Sequence, residues 1–274
     1  MRRVIVPGSG LSVSRFAFGT ASLFNVGGAK RRADLLAAAY DNGFTHFDTA
    51  PYYGFGVAER DLAPLLKARP DATVATKVGL YSPGGEAQPA ALVFARKAAG
   101  KIVPALSRPS VDWSVARARG ALSASLKRLG RERIDLYLLH EPDAALLATD
   151  EWLRWLESER DRVAHFGIAV DARRLAGFLA PNSALAPIVQ TIDSLSEREA
   201  DALVRHGRPL QITYGYVRAA MRLGPADVPA VLEAALHRNA EGCVIVSTSK
   251  PGRLAQFARI AEVADEARPL AHAG

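Results

Sequence analysis

Residues 114–140 read SVARARGALSASLKRLGRERIDLYLLH, and this stretch decides the fold. Val115, Leu122, Leu126 and Leu129 fall at helical spacing, and Gly130 stands where a helix closes on a left-handed residue. Four residues later Ile134-Asp135-Leu136-Tyr137-Leu138-Leu139 is a nearly continuous apolar run that closes on His140. A parallel strand covered on both faces needs such a run. A glycine-closed helix followed at once by a buried strand is one turn of a helix–strand repeat.

The alternation extends in both directions. Eight β-rich runs end near Thr20, Ala50, Val78, His140, Val170, Asp193, Tyr216 and Ser247. Helical patterns cover 33–42, 57–67, 114–129, 150–161, 172–179, 197–206, 227–238 and 251–267. The one at 197 opens on Ser196-Glu197-Arg198-Glu199, a capping box. Strands alternating with helices imply a parallel sheet with right-handed crossovers. Eight units suit an α/β fold of the (β/α)8 or TIM-barrel type, which commonly takes about 250 residues; the whole chain, 1–274, reads as one domain. Ahead of it Arg2, Val4 and Val6 alternate before the turn Pro7-Gly8-Ser9-Gly10, a β-hairpin that could cap the barrel bottom. The segment 81–112, rich in Gly, Pro and Ala, fits no unit and is expected as a long loop over the C-terminal face.

That face is where a barrel does chemistry. Asp48 and Tyr53 lie in Phe47-Asp48-Thr49-Ala50-Pro51-Tyr52-Tyr53-Gly54, Lys77 closes Val74-Ala75-Thr76-Lys77, and His140 closes its own strand. A free phenol, with a pKa near ~10, is a poor acid at neutral pH. A lysine cation beside it lowers that value, an aspartate holds the lysine charged, and a histidine can polarise the oxygen that receives the proton. Such a set can protonate a carbonyl oxygen while hydride reaches the carbon. A lone Tyr, Lys or His here could be structural; four on one face of one barrel argue for chemistry. His46 shares the inward parity of Asp48 but lies deeper, as a core residue would.

Composition excludes other classes. The chain is 49% hydrophobic and 23% charged, ordinary for a globular core. No apolar run reaches the ~18 residues of a membrane span, and Met1-Arg2-Arg3 precedes too short a run for a signal peptide. Cys243 is the single cysteine, so no internal disulfide can form; the expected location is the cytoplasm. The net charge is +7, but the arginines are spread along helices without aromatic interleaving. A solvated surface explains them better than nucleic acid. There is no CxxC, HExxH or GxSxG, no metal site is expected, and Gly8-Ser9-Gly10 does not extend to a dinucleotide fingerprint.

Taken together, Phe47-Asp48-Thr49-Ala50 with Tyr53-Gly54, Thr76-Lys77-Val78, Leu126-Lys127-Arg128-Leu129-Gly130 with the strand to His140, and Ser247-Thr248-Ser249-Lys250-Pro251 resemble the aldo-keto reductase superfamily. The resemblance runs from Phe16-Ala17-Phe18-Gly19-Thr20 to the last helix. It implies a (β/α)8 barrel that binds a nicotinamide cofactor, NADP (NADPH), without a Rossmann motif. It makes Tyr53 the general acid, with Lys77, Asp48 and His140 in support. It places Gln190 on the nicotinamide carboxamide, Tyr214 (or Tyr216) stacked on the ring, and Gly19 and Thr20 by the ribose. Ser247, Thr248, Ser249 and Lys250 would take phosphate at a helix N-terminus, with Arg253 as a clamp for the 2′-phosphate and Gln256 at the adenine. Two departures stand out. The family's usual Ser-Asn is replaced by Ala169-Val170, which leaves the carboxamide to Gln190. Phe257, in the place of a common Asn, can pack under adenine or join the core. The stretch after the seventh strand and the tail are both short, so neither a strap nor a long C-terminal loop is expected.

The activity implied is NADP-dependent reduction of aldehydes or ketones to alcohols, or the reverse, such as oxidation of a sugar; the partner is then a small-molecule carbonyl or alcohol substrate, with oligomeric state open. The resemblance also admits a nicotinamide-binding redox sensor that regulates a partner protein, as the potassium-channel β-subunits do.

Overall fold

A computed structural model of the protein describes residues 1–179 and 183–266. Strands β1 (Arg3–Ile5) and β2 (Ser12–Ser14) form the antiparallel hairpin, turning through Gly8 and Gly10 at positive φ. The chain then alternates: β3 (Phe16–Gly19), α1 (Ala29–Asp41), β4 (His46–Asp48), α2 (Val57–Ala68), β5 (Thr73–Val78). A side excursion follows, made of β6 (Leu80–Tyr81), α3 (Ala90–Ala99) and β7 (Ser110–Val111). Alternation resumes with α4 (Val115–Leu129), β8 (Ile134–His140), α5 (Thr149–Ser158), β9 (Val163–Val170), α6 (Ala172–Leu175) and β10 (Ile188–Ile192). It ends with α7 (Asp201–Arg205), β11 (Ile212–Tyr214), α8 (Tyr216–Leu223), α9 (Val228–Arg238), β12 (Cys243–Val246) and α10 (Gly252–Glu266). The order β3-β4-β5-β8-β9-β10-β11-β12 closes into a barrel with every pairing parallel.

The barrel wall separates two cores. On β8, Tyr137 and Leu139 point out to the helices, while Leu136 and Leu138 join Ala17, Ala75, Ile188, Ile212 and Cys243 inside. Val4, Val6, Leu11 and Val13 of the hairpin region plug the same inner cluster. The bottom of the barrel is therefore sealed by apolar side chains, which leaves the top of the barrel open to a ligand. Cys243 is buried there, its Sγ donating to Ser14 O at 3.2 Å, and burial pushes the thiol up to about 12.

Several boundaries differ from the sequence expectation. The capping box at 196 does not form: Ser194 Oγ accepts from Glu197 N and donates to Glu199, Arg198 turns to φ 51°, and the helix starts only at Asp201. The segment 81–112 is not a structureless loop. It carries α3 and the β6–β7 pair, and it packs on the loops that follow β3 and β4 without lining the cavity. Tyr52 donates its hydroxyl to Ser107 O at 2.8 Å, Lys97 lies over the rings of Phe24 and Phe55, and Val93 packs with Phe55 and Val57. Helix α8 occupies the short stretch after the seventh barrel strand, where the sequence pattern shows no helix. It is eight residues between Gly215 and Gly224, both at positive φ. The end expected for the last helix, at Ala267, and the tail lie outside the described residues. Among the described residues no helix is long and apolar enough to cross a membrane.

Candidate active site

Inward-facing positions alternate along a barrel strand, so the residue two beyond each plug residue faces the top cavity. Continuing from Ala17, His46, Ala75, Leu138, Gly167, Ile188 and Ile212 by two gives Gly19, Asp48, Lys77, His140, Ala169, Gln190 and Tyr214. All seven line one cavity of about 740 Å³. Strand parity thus carries the site; Tyr53 reaches the same wall from the loop after β4.

Lys77 is fully enclosed, and its three ammonium donors have three acceptors. Nζ lies 2.6 Å from Asp48 Oδ1, 2.9 Å from Thr49 O and 3.3 Å from Tyr53 Oη. An ammonium cannot accept, so the phenol oxygen is the acceptor and its own proton is free to be given elsewhere. The Tyr53 and His140 rings meet edge to face, centroids 6.0 Å apart. His140 is held from behind by Trp113, whose Nε1 donates to His140 O at 3.1 Å. Its Nδ1 is buried without a partner among the described residues, leaving Nε2 as the nitrogen that reaches the cavity.

The electrostatics depart from the sequence expectation at one point. A lysine beside Tyr53 is expected to draw the phenol down toward neutrality. Instead burial holds it well above its ordinary value, and the Asp48 and Glu141 charges push the same way. The lysine charge is largely balanced by Asp48 at 2.6 Å. Burial also lowers Lys77, with the Asp48 carboxylate opposing it. Burial, assisted by Lys77, holds His140 well below its usual value, so it is neutral. The set is therefore a neutral phenol, a paired lysine and a neutral imidazole. It can donate protons to an oxygen, and it has no exposed nucleophile.

The other expected residues divide. Ser247 and Arg253 line the cavity. Thr248, Ser249, Lys250 and Gln256 lie along the same turn and helix but do not line it; Thr248 Oγ1 instead caps Lys250 N at 3.0 Å. Thr20 is buried, with its hydroxyl donated to Asp48 O at 2.9 Å, and does not line the cavity. Tyr216 has its hydroxyl tied to Asp193 at 2.6 Å, which leaves Tyr214 as the freer ring. Phe257 joins the core against Phe16, with one edge on the cavity wall. Three charged residues that sequence reasoning does not single out also line it: Glu141, Arg218 and Arg222. The bracketing Gly215 and Gly224 are a signal for α8, which carries the two arginines.

A model of the Aldo/keto reductase family matches residues 15–191, more than half of the chain. This chain belongs to the aldo-keto reductase family. It is 33% identical over 141 residues to D-threo-aldose 1-dehydrogenase of Pseudomonas sp, a match covering 49% of this chain and 42% of that protein. The chain thus spans about two fifths of the length of the curated relatives it matches first. Its fold is that of the aldo-keto reductase AKR11C1 from Bacillus halodurans, in holo form, with TM-score 0.71 at 21% identity over 98% of this chain and 92% of that one. The aldo-keto reductase of Klebsiella pneumoniae in complex with NADPH superposes with TM-score 0.65 at 17% identity, over 96% and 90%.

Aldo-keto reductases use a nicotinamide cofactor, and the residues of this chain fit one. Gln190 Oε1 is buried on the cavity wall without a partner among the described residues, an acceptor suited to a carboxamide N–H. Gly19 must stay bare, since a Cβ there would meet Ile245 Cγ2 at 2.8 Å. Arg253, Arg218 and Arg222 line the same cavity, and a guanidinium is chemically suited to a phosphate. Ala169 offers no side-chain hydrogen bond.

Proposed function

We propose that this chain is an NADP-dependent oxidoreductase that reduces aldehydes or ketones to alcohols, or runs the reverse reaction on a sugar, with Tyr53 as the general acid. The observation that carries this reading is Lys77 Nζ standing between Asp48 Oδ1 and Tyr53 Oη on the cavity wall. A bound nicotinamide supplies hydride to the carbonyl carbon, or takes it up in the oxidised form. Tyr53 gives its proton to the carbonyl oxygen as negative charge develops there. Lys77 donates to the phenol oxygen and so stabilises the phenolate that remains. Solvent protons restore the phenol. Neutral His140 donates from Nε2 to the same carbonyl oxygen, orienting it and sharing its charge. Gln190 would hold the carboxamide, Tyr214 would face the ring, and Ser247 and Arg253 would take the phosphate end, with Arg253 for the 2′-phosphate.

The sugar dehydrogenase among the relatives supports a hydroxylated substrate. A neutral phenol also favours reduction at neutral pH, since the reverse reaction needs the phenolate. Absence of a membrane-crossing helix among the described residues accords with a cytoplasmic enzyme. The test is loss of NADPH absorbance with a panel of aldehydes, aldoses and ketones. Turnover of any of them supports the reading. Tight NADPH binding without turnover on the whole panel would favour a redox-sensing role instead.

A further inference from the structure

Glu141 directly follows His140 and sits at φ 49°, a left-handed backbone that costs strain in a non-glycine residue. Strain held in place at a site rim is a reason to ask what the residue does there. Its backbone N–H donates to Ala169 O at 2.7 Å, and the Arg174 guanidinium donates to its carbonyl. This geometry turns the side chain onto the cavity wall that Asp48, Tyr53, Lys77 and His140 also line. Oε2 accepts from Asp171 N at 3.0 Å, and no cation pairs with the carboxylate among the described residues. Half-burial raises the carboxyl above its ordinary value, and its charge acts in turn on Tyr53, Lys77 and Tyr214. One oxygen is therefore anchored, while the other has no hydrogen-bond partner among the described residues.

We propose that Glu141 is a substrate-binding residue that accepts a hydrogen bond from a hydroxyl next to the reacting carbonyl, selecting neutral hydroxylated aldehydes, small aldoses above all. The inference rests on the oxidoreductase reading and names its substrate class. A carboxylate only accepts hydrogen bonds, so its complement is a donor, and a hydroxyl beside the carbonyl is such a donor. A substrate without that hydroxyl leaves a desolvated carboxylate unpaired, and an anionic substrate is repelled. Sites that bond a substrate hydroxyl discriminate strongly against analogues that lack it.

The test compares glyceraldehyde with propanal, which differ only in two hydroxyls, and 4-nitrobenzaldehyde with 4-carboxybenzaldehyde, using NADPH. Wild-type protein should favour glyceraldehyde in kcat/KM by roughly 10–100-fold. Both Glu141→Ala and Glu141→Gln should cut that ratio at least about fivefold, and Glu141→Gln should raise 4-carboxybenzaldehyde relative to 4-nitrobenzaldehyde. The Gln variant retains an oxygen for the Asp171 amide, so it keeps the loop if the Ala variant does not fold. An unchanged glyceraldehyde-to-propanal ratio in folded Glu141→Gln overturns the inference while leaving the oxidoreductase reading intact. No turnover of any of the four aldehydes by the wild-type protein removes that reading and this inference with it.

Discussion

Lys77 donates to the Tyr53 phenol oxygen across 3.3 Å while its stronger bond, 2.6 Å long, goes to Asp48. The lysine is thus both half of a buried ion pair and the only cation within reach of the phenol's oxygen among the described residues. Lys77→Met should lower turnover at least about 100-fold, the scale of a lost acid–base contribution. It should also destabilise the fold by ~3–5 kcal/mol, because Asp48 is left buried and unpaired. Adding Asp48→Asn should recover much of the stability but none of the turnover. Recovery of both in the double variant, measured by thermal unfolding and NADPH consumption, would mean the lysine acts on the fold alone.

The phenol's raised pKa sets the pH dependence. Tyr53 stays protonated through the physiological range, because burial and two carboxylates disfavour its anion. Reduction uses the protonated form, so its kcat/KM should show no alkaline fall below pH about 10, the ordinary phenol value. Oxidation of an alcohol uses the phenolate and should keep rising through the same range. A descending limb near pH 7–8 in reduction, absent in Tyr53→Phe, would show that the loaded site lowers the phenol instead.

The cation at the far end of the cavity is expected to read the cofactor's extra phosphate. Arg253→Ala should weaken NADPH roughly 10–100-fold and NADH by much less, the value of one charge-assisted bond. Fluorescence titration of both cofactors measures this. Equal losses, or none, would move the 2′-phosphate contact elsewhere, and Arg218 and Arg222 on α8 are the next cations on that wall.

How much of this is legible in the chain depends on what each feature rests on. Strand ends rest on local sequence, so the pattern of residues alone assigns Asp48, Lys77 and His140 to one face, while Gln190 and Tyr214 come from the family resemblance. Helix α3 is hidden because its large apolar residues, Leu92, Val93 and Phe94, run consecutively within a Gly-, Pro- and Ala-rich segment. Helix α8 is hidden because its eight residues make only about two turns, too short a stretch for periodicity to be read. The raised Tyr53 phenol depends on burial by distant elements, and no residue pattern reveals it. Glu141 escapes notice because the apolar run of β8 stops at His140, and a left-handed glutamate has no sequence signature.

His46 lies in the inner barrel, its Nδ1 2.8 Å from Thr73 Oγ1, and burial lowers its pKa from 6.5 to about 3. The depressed value means that the unfolded chain takes up a proton between pH 6.5 and about 3 that the folded protein refuses. Stability from this group is complete above pH 6.5 and is lost as pH falls, by about 1.4 kcal/mol per pH unit. His46→Asn should flatten the acid side of the stability curve by that slope. Parallel wild-type and variant curves in urea unfolding from pH 7 to 4 would show that His46 does not titrate on unfolding.

The most direct test of the central claim is a single-turnover measurement of NADPH oxidation with 4-nitrobenzaldehyde in wild-type protein and in Tyr53→Phe. The substitution removes one hydroxyl and keeps the ring that packs against His140. The expected result is a loss of at least about 100-fold in the rate of absorbance decay, with the NADPH dissociation constant changed less than about threefold. A decay rate within about threefold of wild type would contradict proton donation by Tyr53 and, with it, the role assigned to the lysine beside it.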